Sequence, residues 1–311
     1  MDNISILSHT DQALLRLPDS RRLGLTYGLW AAGLSLALQL VSFIAGAMTE
    51  NTGGLGGIGM RSALQTVQAL CAYVSMIVLP FLQYGHQAVG LNTAKGCPSE
   101  KATLLWGFRR FGPFLRLALL WLLLILAVTM AASNAAGILY MLLPGTADTF
   151  LEVQELMMND PNSLMGVETA EALLLKMWPM YVIFGVLLIA LLIPLSYRLR
   201  LVPAAILDGE NKVIRSMFAS WKGMRTHCKQ LFFLDLRFWP YFLLMGVATV
   251  VAYGDQLLGL SGDVAYWSAI LLSLTIQVLA AALYLPRFHT AQAKFYLTYY
   301  PTEQPSQKEF L

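Results

Sequence analysis

Few residues in this chain have the types and spacing that do chemistry. Gly54-Leu-Gly-Gly-Ile-Gly59 fits the G-x-G-x-x-G pattern with which a glycine loop cradles a dinucleotide pyrophosphate. Asp235 and Arg237 are opposite charges in an otherwise apolar run. His86, His227 and His289, with Cys228 beside His227, are residue types that bind metals or move protons. There is no HExxH, P-loop, CxxC or GxSxG sequence. No catalytic residues, cofactor or metal site are therefore expected. What the few polar residues can do depends on the elements that hold them.

Those elements are membrane helices. The chain of 311 residues is 57% hydrophobic and only 13% charged, with a mean hydropathy of +0.60. Soluble domains carry about 25% charged residues, so a soluble or nucleic-acid-binding protein is excluded and a polytopic membrane protein is indicated. Cys71, Cys97 and Cys228 are odd in number and unclustered, which gives no disulfide or zinc framework. Residues 1–22 are polar and read as a cytoplasmic N-terminal segment, with no signal peptide. Six segments suit a span of about 20 apolar residues: 23–48, 63–84, 114–143, 177–197, 231–253 and 264–286. The patch Ala131-Ala-Ser-Asn-Ala-Ala-Gly137 suggests a break or a protruding end in the third.

Lys and Arg positions give the topology. Eighteen of them fall in the N-terminal segment, the 2–3 and 4–5 connections and the C-terminal segment, whereas the opposite side has only Arg61 and Lys176. Both termini are thus expected in the cytoplasm. The glycine pattern then lies in a short outer loop after a membrane helix, where no βαβ unit surrounds it, and it reads as a glycine-rich turn. The larger outer loop, 144–176, is acidic and reads as a solvated cap with two short amphipathic helices near 148–158 and 166–176.

The cytoplasmic side shows a weak repeat. Even-numbered spans end in Leu79-Pro80, Ile193-Pro194 and Leu285-Pro286, each followed by a polar helical extension. Two basic amphipathic segments, 98–113 and 211–230, lead into the next span, and in both a Gly-x-Arg precedes the opening leucine (Gly107 to Leu115, Gly223 to Leu231). The pattern predicts an all-α bundle of three parallel hairpins with interfacial helices. In 211–230, Val213, Ile214, Met217, Trp221, Met224 and Cys228 recur at helical spacing, with Lys212, Arg215, Lys222, Arg225 and Lys229 largely elsewhere on the wheel. Such a helix lies in the bilayer interface, its cations toward anionic lipid headgroups. Residues 301–311 read as a flexible cytoplasmic tail.

Ser216-x3-Ser220-x2-Gly223, then Leu231-Phe232-x-Leu234, then a last span with Pro286 and Phe295-Tyr296, resembles a family of uncharacterised bacterial six-helix membrane proteins known only as a domain of unknown function. The resemblance covers mainly 210–300. It implies a bacterial inner-membrane location and brings no catalytic residues.

Asp235 and Arg237 would lie about 6 and 9 Å past Leu231, at 1.5 Å per residue. They point to opposite faces, so Arg237 snorkels and Asp235 needs a partner from another helix, with Arg198, Arg287 and Arg116 at similar depth. The three histidines fall near the cytoplasmic interface and read as interfacial hydrogen-bonding groups. The expected function is non-enzymatic, with basic cytoplasmic helices engaging anionic lipid or a protein partner. The alternative is a small transporter with a polar mouth at Asp235 and Arg237.

Overall fold

The computed structural model describes residues 2–51, 57–143, 146, 167–254 and 262–300. Among these the chain is helical, with no strand. Helix α1 (Asn3–Arg16) starts because the Asp2 carboxylate accepts the Ser5 N–H at 3.0 Å, and it stops at Leu17, just before Pro18. Its Ile6, Thr10 and Leu14 share one buried face. Long apolar helices follow: α2 (Asp19–Asn51) and α3 (Gly57–Lys95). Gly96, at a φ of +79°, ends α3, and its loop returns the Cys97 N–H to the Asn92 carbonyl at 2.9 Å.

A 3-10 turn at Lys101–Leu105 and α4 (Trp106–Arg109) lead into α5 (Phe111–Met141). Then come α6 (Val167–Leu199), α7 (Val202–Leu207), α8 (Val213–Met224), α9 (Cys228–Leu236), α10 (Trp239–Ala252) and α11 (Asp263–Tyr299). Five helices are long and apolar enough to cross a membrane, and α9 with α10 make a sixth if that bent pair counts as one span. Many of their large apolar side chains are exposed, among them Leu122, Leu123, Val186, Leu272 and Leu283. A lipid environment fits that surface, as in a multi-pass membrane protein.

Four local expectations change. Of the two readings of the small, polar patch at 131–137, the break does not occur: α5 runs through it, and Asn134 Nδ2 donates to the Met130 carbonyl at 2.9 Å. The fifth span is not straight: α9 and α10 meet at 64° across Arg237 and Phe238, with Pro240 in the first turn of α10. Segment 98–113 is not one amphipathic helix, and Pro113 already lies in α5. Segment 211–230 divides at Arg225–His227 into α8 and the start of α9. The helical extensions are present: α3, α6 and α11 run on past Pro80, Pro194 and Pro286. Of the glycine pattern, Gly57 and Gly59 open α3, while Gly54 and Gly56 lie outside the described residues, as do most of the acidic loop and the tail 301–311.

The chain divides into two compact units. Residues 115–199, most of α5 and all of α6, form the second, in which Ala132, Ala136 and Tyr140 make a buried stripe along α5. The first unit holds everything else. There α2, α3 and α11 pack on one another, α10 packs on α11, and α1 lies across α11 and α3. The N-terminal segment is thus part of the packed unit, tied by Arg287 to Asp11 at 2.7 Å and by Asn3 Nδ2 to the Gln230 carbonyl at 2.9 Å.

One crossing in this unit needs glycine. At Gly85 a methyl group would meet the Leu104 backbone, with its Cα only 2.9 Å away. At Gly107 it would meet the Phe81 backbone, 2.9 Å from the carbonyl carbon. The two glycines let α3 and the 101–109 segment touch main chain to main chain. Around them Phe81 stacks on Phe111 at 5.0 Å and Tyr84 on Phe114 at 4.0 Å.

Candidate functional site

Two places in the first unit concentrate the functional residue types. The first is the surface of α8. Its packed face is Val213, Ser216, Ser220 and Met224. Serine is small enough there to bring the helix close to its neighbours. The remaining apolar residues face outward: Ile214 is 60% exposed, Phe218 72% and Trp221 41%. At 100° per residue these three lie within about 60° of arc, and Arg225 falls in the same sector. Lys212, Arg215, Lys222 and Lys229 are exposed beside or beyond it. The apolar face expected from the sequence is therefore two faces, one packed and one bare.

An open cleft of about 770 Å³ runs beside α8, lined by Lys212, Arg215, Lys222, Asp208, Glu210 and Tyr300. Asp208 is a junction: it pairs with Lys95 at the end of α3 and accepts the Tyr296 hydroxyl of α11 at 3.1 Å. Across the turn, Arg110 Nη1 donates to Asn211 Oδ1 at 2.7 Å. Partial burial pushes the Tyr300 phenol above its ordinary value, Glu210 adds to this, and a hydrogen bond with Ser216 opposes it.

The second place is a polar pocket where α2 begins and α3 and α11 finish. His86 of α3 and His289 of α11 are both fully buried, with their Nδ1 atoms 2.7 Å apart. The Tyr27 ring lies 5.1 Å from His86, and Phe288 lies 5.6 Å from His289. Gly90 permits the contact, since a methyl group there would come within 2.8 Å of the His289 backbone. Beside the pair is a cavity of about 60 Å³ lined by Gln87, Arg200, His289, Gln292, Leu201 and Leu231. A water needs about 10–15 Å³ of such space, so the cavity takes a few. Gln292 Nε2 donates to Asp235 Oδ1 at 3.2 Å.

The intramembrane polar residues separate accordingly. Asp235 is buried and joins this pocket through Gln292, whereas Arg237, two residues on, is exposed at the 64° bend. Arg287 faces Asp11 instead. Arg198 ends α6 in the other unit. His227 stacks on Tyr299 at 4.1 Å and its Nδ1 meets Gln230 Oε1 at 2.9 Å. Among the described residues no three metal-ligating side chains converge. The histidine pair and its cavity were not legible as a site, because the two histidines are 203 positions apart. The usable signal was local: Gly85-His86-x3-Gly90 and Pro286-x2-His289 both place a histidine beside a backbone special.

No protein-family model, no curated protein and no solved structure matches the chain.

Proposed function

We propose that this chain is a non-enzymatic, multi-pass protein of a bacterial cytoplasmic membrane, with six spans as three parallel hairpins and both termini in the cytoplasm. In this reading α8 lies along the inner surface of the bilayer and holds anionic lipid headgroups. The supporting observation is the exposed face of Ile214 and Phe218, with the part-exposed Trp221 and exposed cations on the same helix. In water that face is a cost at about 25 cal/mol per Å² of apolar surface. At a bilayer interface the same residues enter the acyl boundary while Arg215, Lys222 and Arg225 reach phosphates, each contributing about 1 kcal/mol. The cleft beside α8 gives a headgroup room.

The test is native mass spectrometry of the protein released from mild detergent, comparing wild type with a Lys222→Gln, Arg225→Gln, Lys229→Gln variant. Anionic lipid retained by wild type and lost by the variant is the expected result. Equal lipid on both forms would sink the reading and leave the cations as topology determinants.

A second reading, a small transporter, is favoured by one observation: Asp235 is buried beside a solvent-sized polar cavity rather than exposed with Arg237. Solute flux in proteoliposomes that Asp235→Asn abolishes would put this reading first.

A further inference from the structure

The histidine pair carries an inference independent of lipid binding. Two ring nitrogens 2.7 Å apart need a proton between them, since two lone pairs would repel. One ring is therefore the Nδ1–H tautomer, and with no proton added the other is Nε2–H. The pair then holds one Nε2 lone pair and one Nε2–H. Neither Nε2 has a hydrogen-bond partner among the described residues. A buried polar atom left so is costly, which packing alone does not explain.

The geometry points to a proton-binding dyad loaded through the cavity beside Arg200. His289 lines the cavity, while its Nε2 is closed to water in this conformation. When His289 carries the Nδ1–H and the cavity lining opens, the Nε2 lone pair accepts a proton from hydronium: an O–H bond breaks, an N–H bond forms and water remains. The Nδ1 proton then shifts to Nδ1 of His86, so a charge that enters on α11 ends on α3. No other reactant is needed. The groups facing the dyad set its balance. Tyr27 of α2 packs on His86. Arg200 lines the same cavity as His289. Asp235 of α9 accepts from Gln292, which also lines the cavity. Burial opposes a positive charge on the dyad, and Arg200 in the same cavity opposes it further. The Tyr27 and Phe288 rings pack against His86 and His289 and hinder ring flips.

The experiment is histidine-selective 15N NMR of the full chain in lipid nanodiscs, in which His9, His86, His227 and His289 are the only signals. We expect opposite tautomers for His86 and His289, a scalar coupling across the Nδ1–H···Nδ1 bond, and a single one-proton pH transition shared by both. Filling the cavity by Ala204→Leu is expected to slow hydrogen–deuterium exchange of the shared proton at least about tenfold, or about 1.4 kcal/mol in barrier, with the coupling kept. If Ala204→Leu loses the coupling, Gln292→Met carries the same comparison. Identical tautomers, absence of coupling in wild type, exchange indifferent to a filled cavity, or a stoichiometric metal at the pair by elemental analysis would each overturn the proposal.

Discussion

Replacing Gly85 by alanine should destabilise the first unit more than any other single methyl group. The added carbon would sit 2.9 Å from the Leu104 Cα and closer still to its carbonyl, where carbon atoms normally stay about 3.5–4.0 Å apart. Leu104 is fully buried, and the Gly107 side of the crossing is already closed by the Phe81 backbone. No flexible side chain can give way, so α3 and the 101–109 segment must part by about 1 Å or more. Overpacking costs about 1–3 kcal/mol, and a backbone clash belongs at the top of that range. Alanine returns about 1 kcal/mol of helix propensity, which leaves a net loss of about 2 kcal/mol. Gly33→Ala is the control, because nothing lies within 4 Å of a methyl group there. It should be neutral or gain up to about 1 kcal/mol. The same chemical change at two helical glycines thus differs by about 3 kcal/mol. With roughly 2–4 °C per kcal/mol, thermal unfolding in detergent should separate the variants by about 6–12 °C. A gap under about 2 °C would refute the close crossing.

Three further outcomes are expected. Tyr300→Phe should flatten the alkaline loss of stability: a phenol whose folded pKa is raised stabilises the fold below its ordinary value of about 10 and loses that contribution as pH rises through the folded value, so unfolding scans from pH 9 upward read it. The opposite sign holds at Asp2, whose carboxyl is lowered by the Ser5 N–H. Its cap stabilises α1 above the ordinary carboxyl range and is lost as pH falls below it, and amide exchange of Asn3–Ile6 should quicken there and in Asp2→Ala at neutral pH. Cys97 is exposed in the 2–3 connection, so an impermeant maleimide should label it in inside-out vesicles and not in right-side-out ones. The reverse pattern would invert the proposed orientation.

Hydropathy was enough to find the long helices because a run of apolar residues has few other fates. It could not find the 64° bend, since Phe238, Trp239 and Pro240 read as apolar whether the helix is straight or turned. Nor could periodicity divide the apolar residues of α8 into packed and bare sets: Ser216 and Ser220 look polar in sequence, yet they are the buried ones. Close packing there selects for size, not hydropathy. The extensions past proline were legible because their polar, histidine- and glutamine-bearing sequence still keeps helical spacing. That His86 and His289 meet depends on how α3 crosses α11, which no local pattern encodes.

That meeting has a consequence for how the protein is made. His86 leaves the ribosome 203 residues before His289. At about 5–20 residues per second, this is a wait of roughly 10–40 s. Throughout that interval α2 and most of α3 are already made while the helix that packs on both is still to come. Biogenesis must therefore hold a histidine-bearing, glycine-notched surface open in or beside the bilayer until the last helix arrives. The insertion machinery, rather than the finished fold, guards the site for most of its assembly.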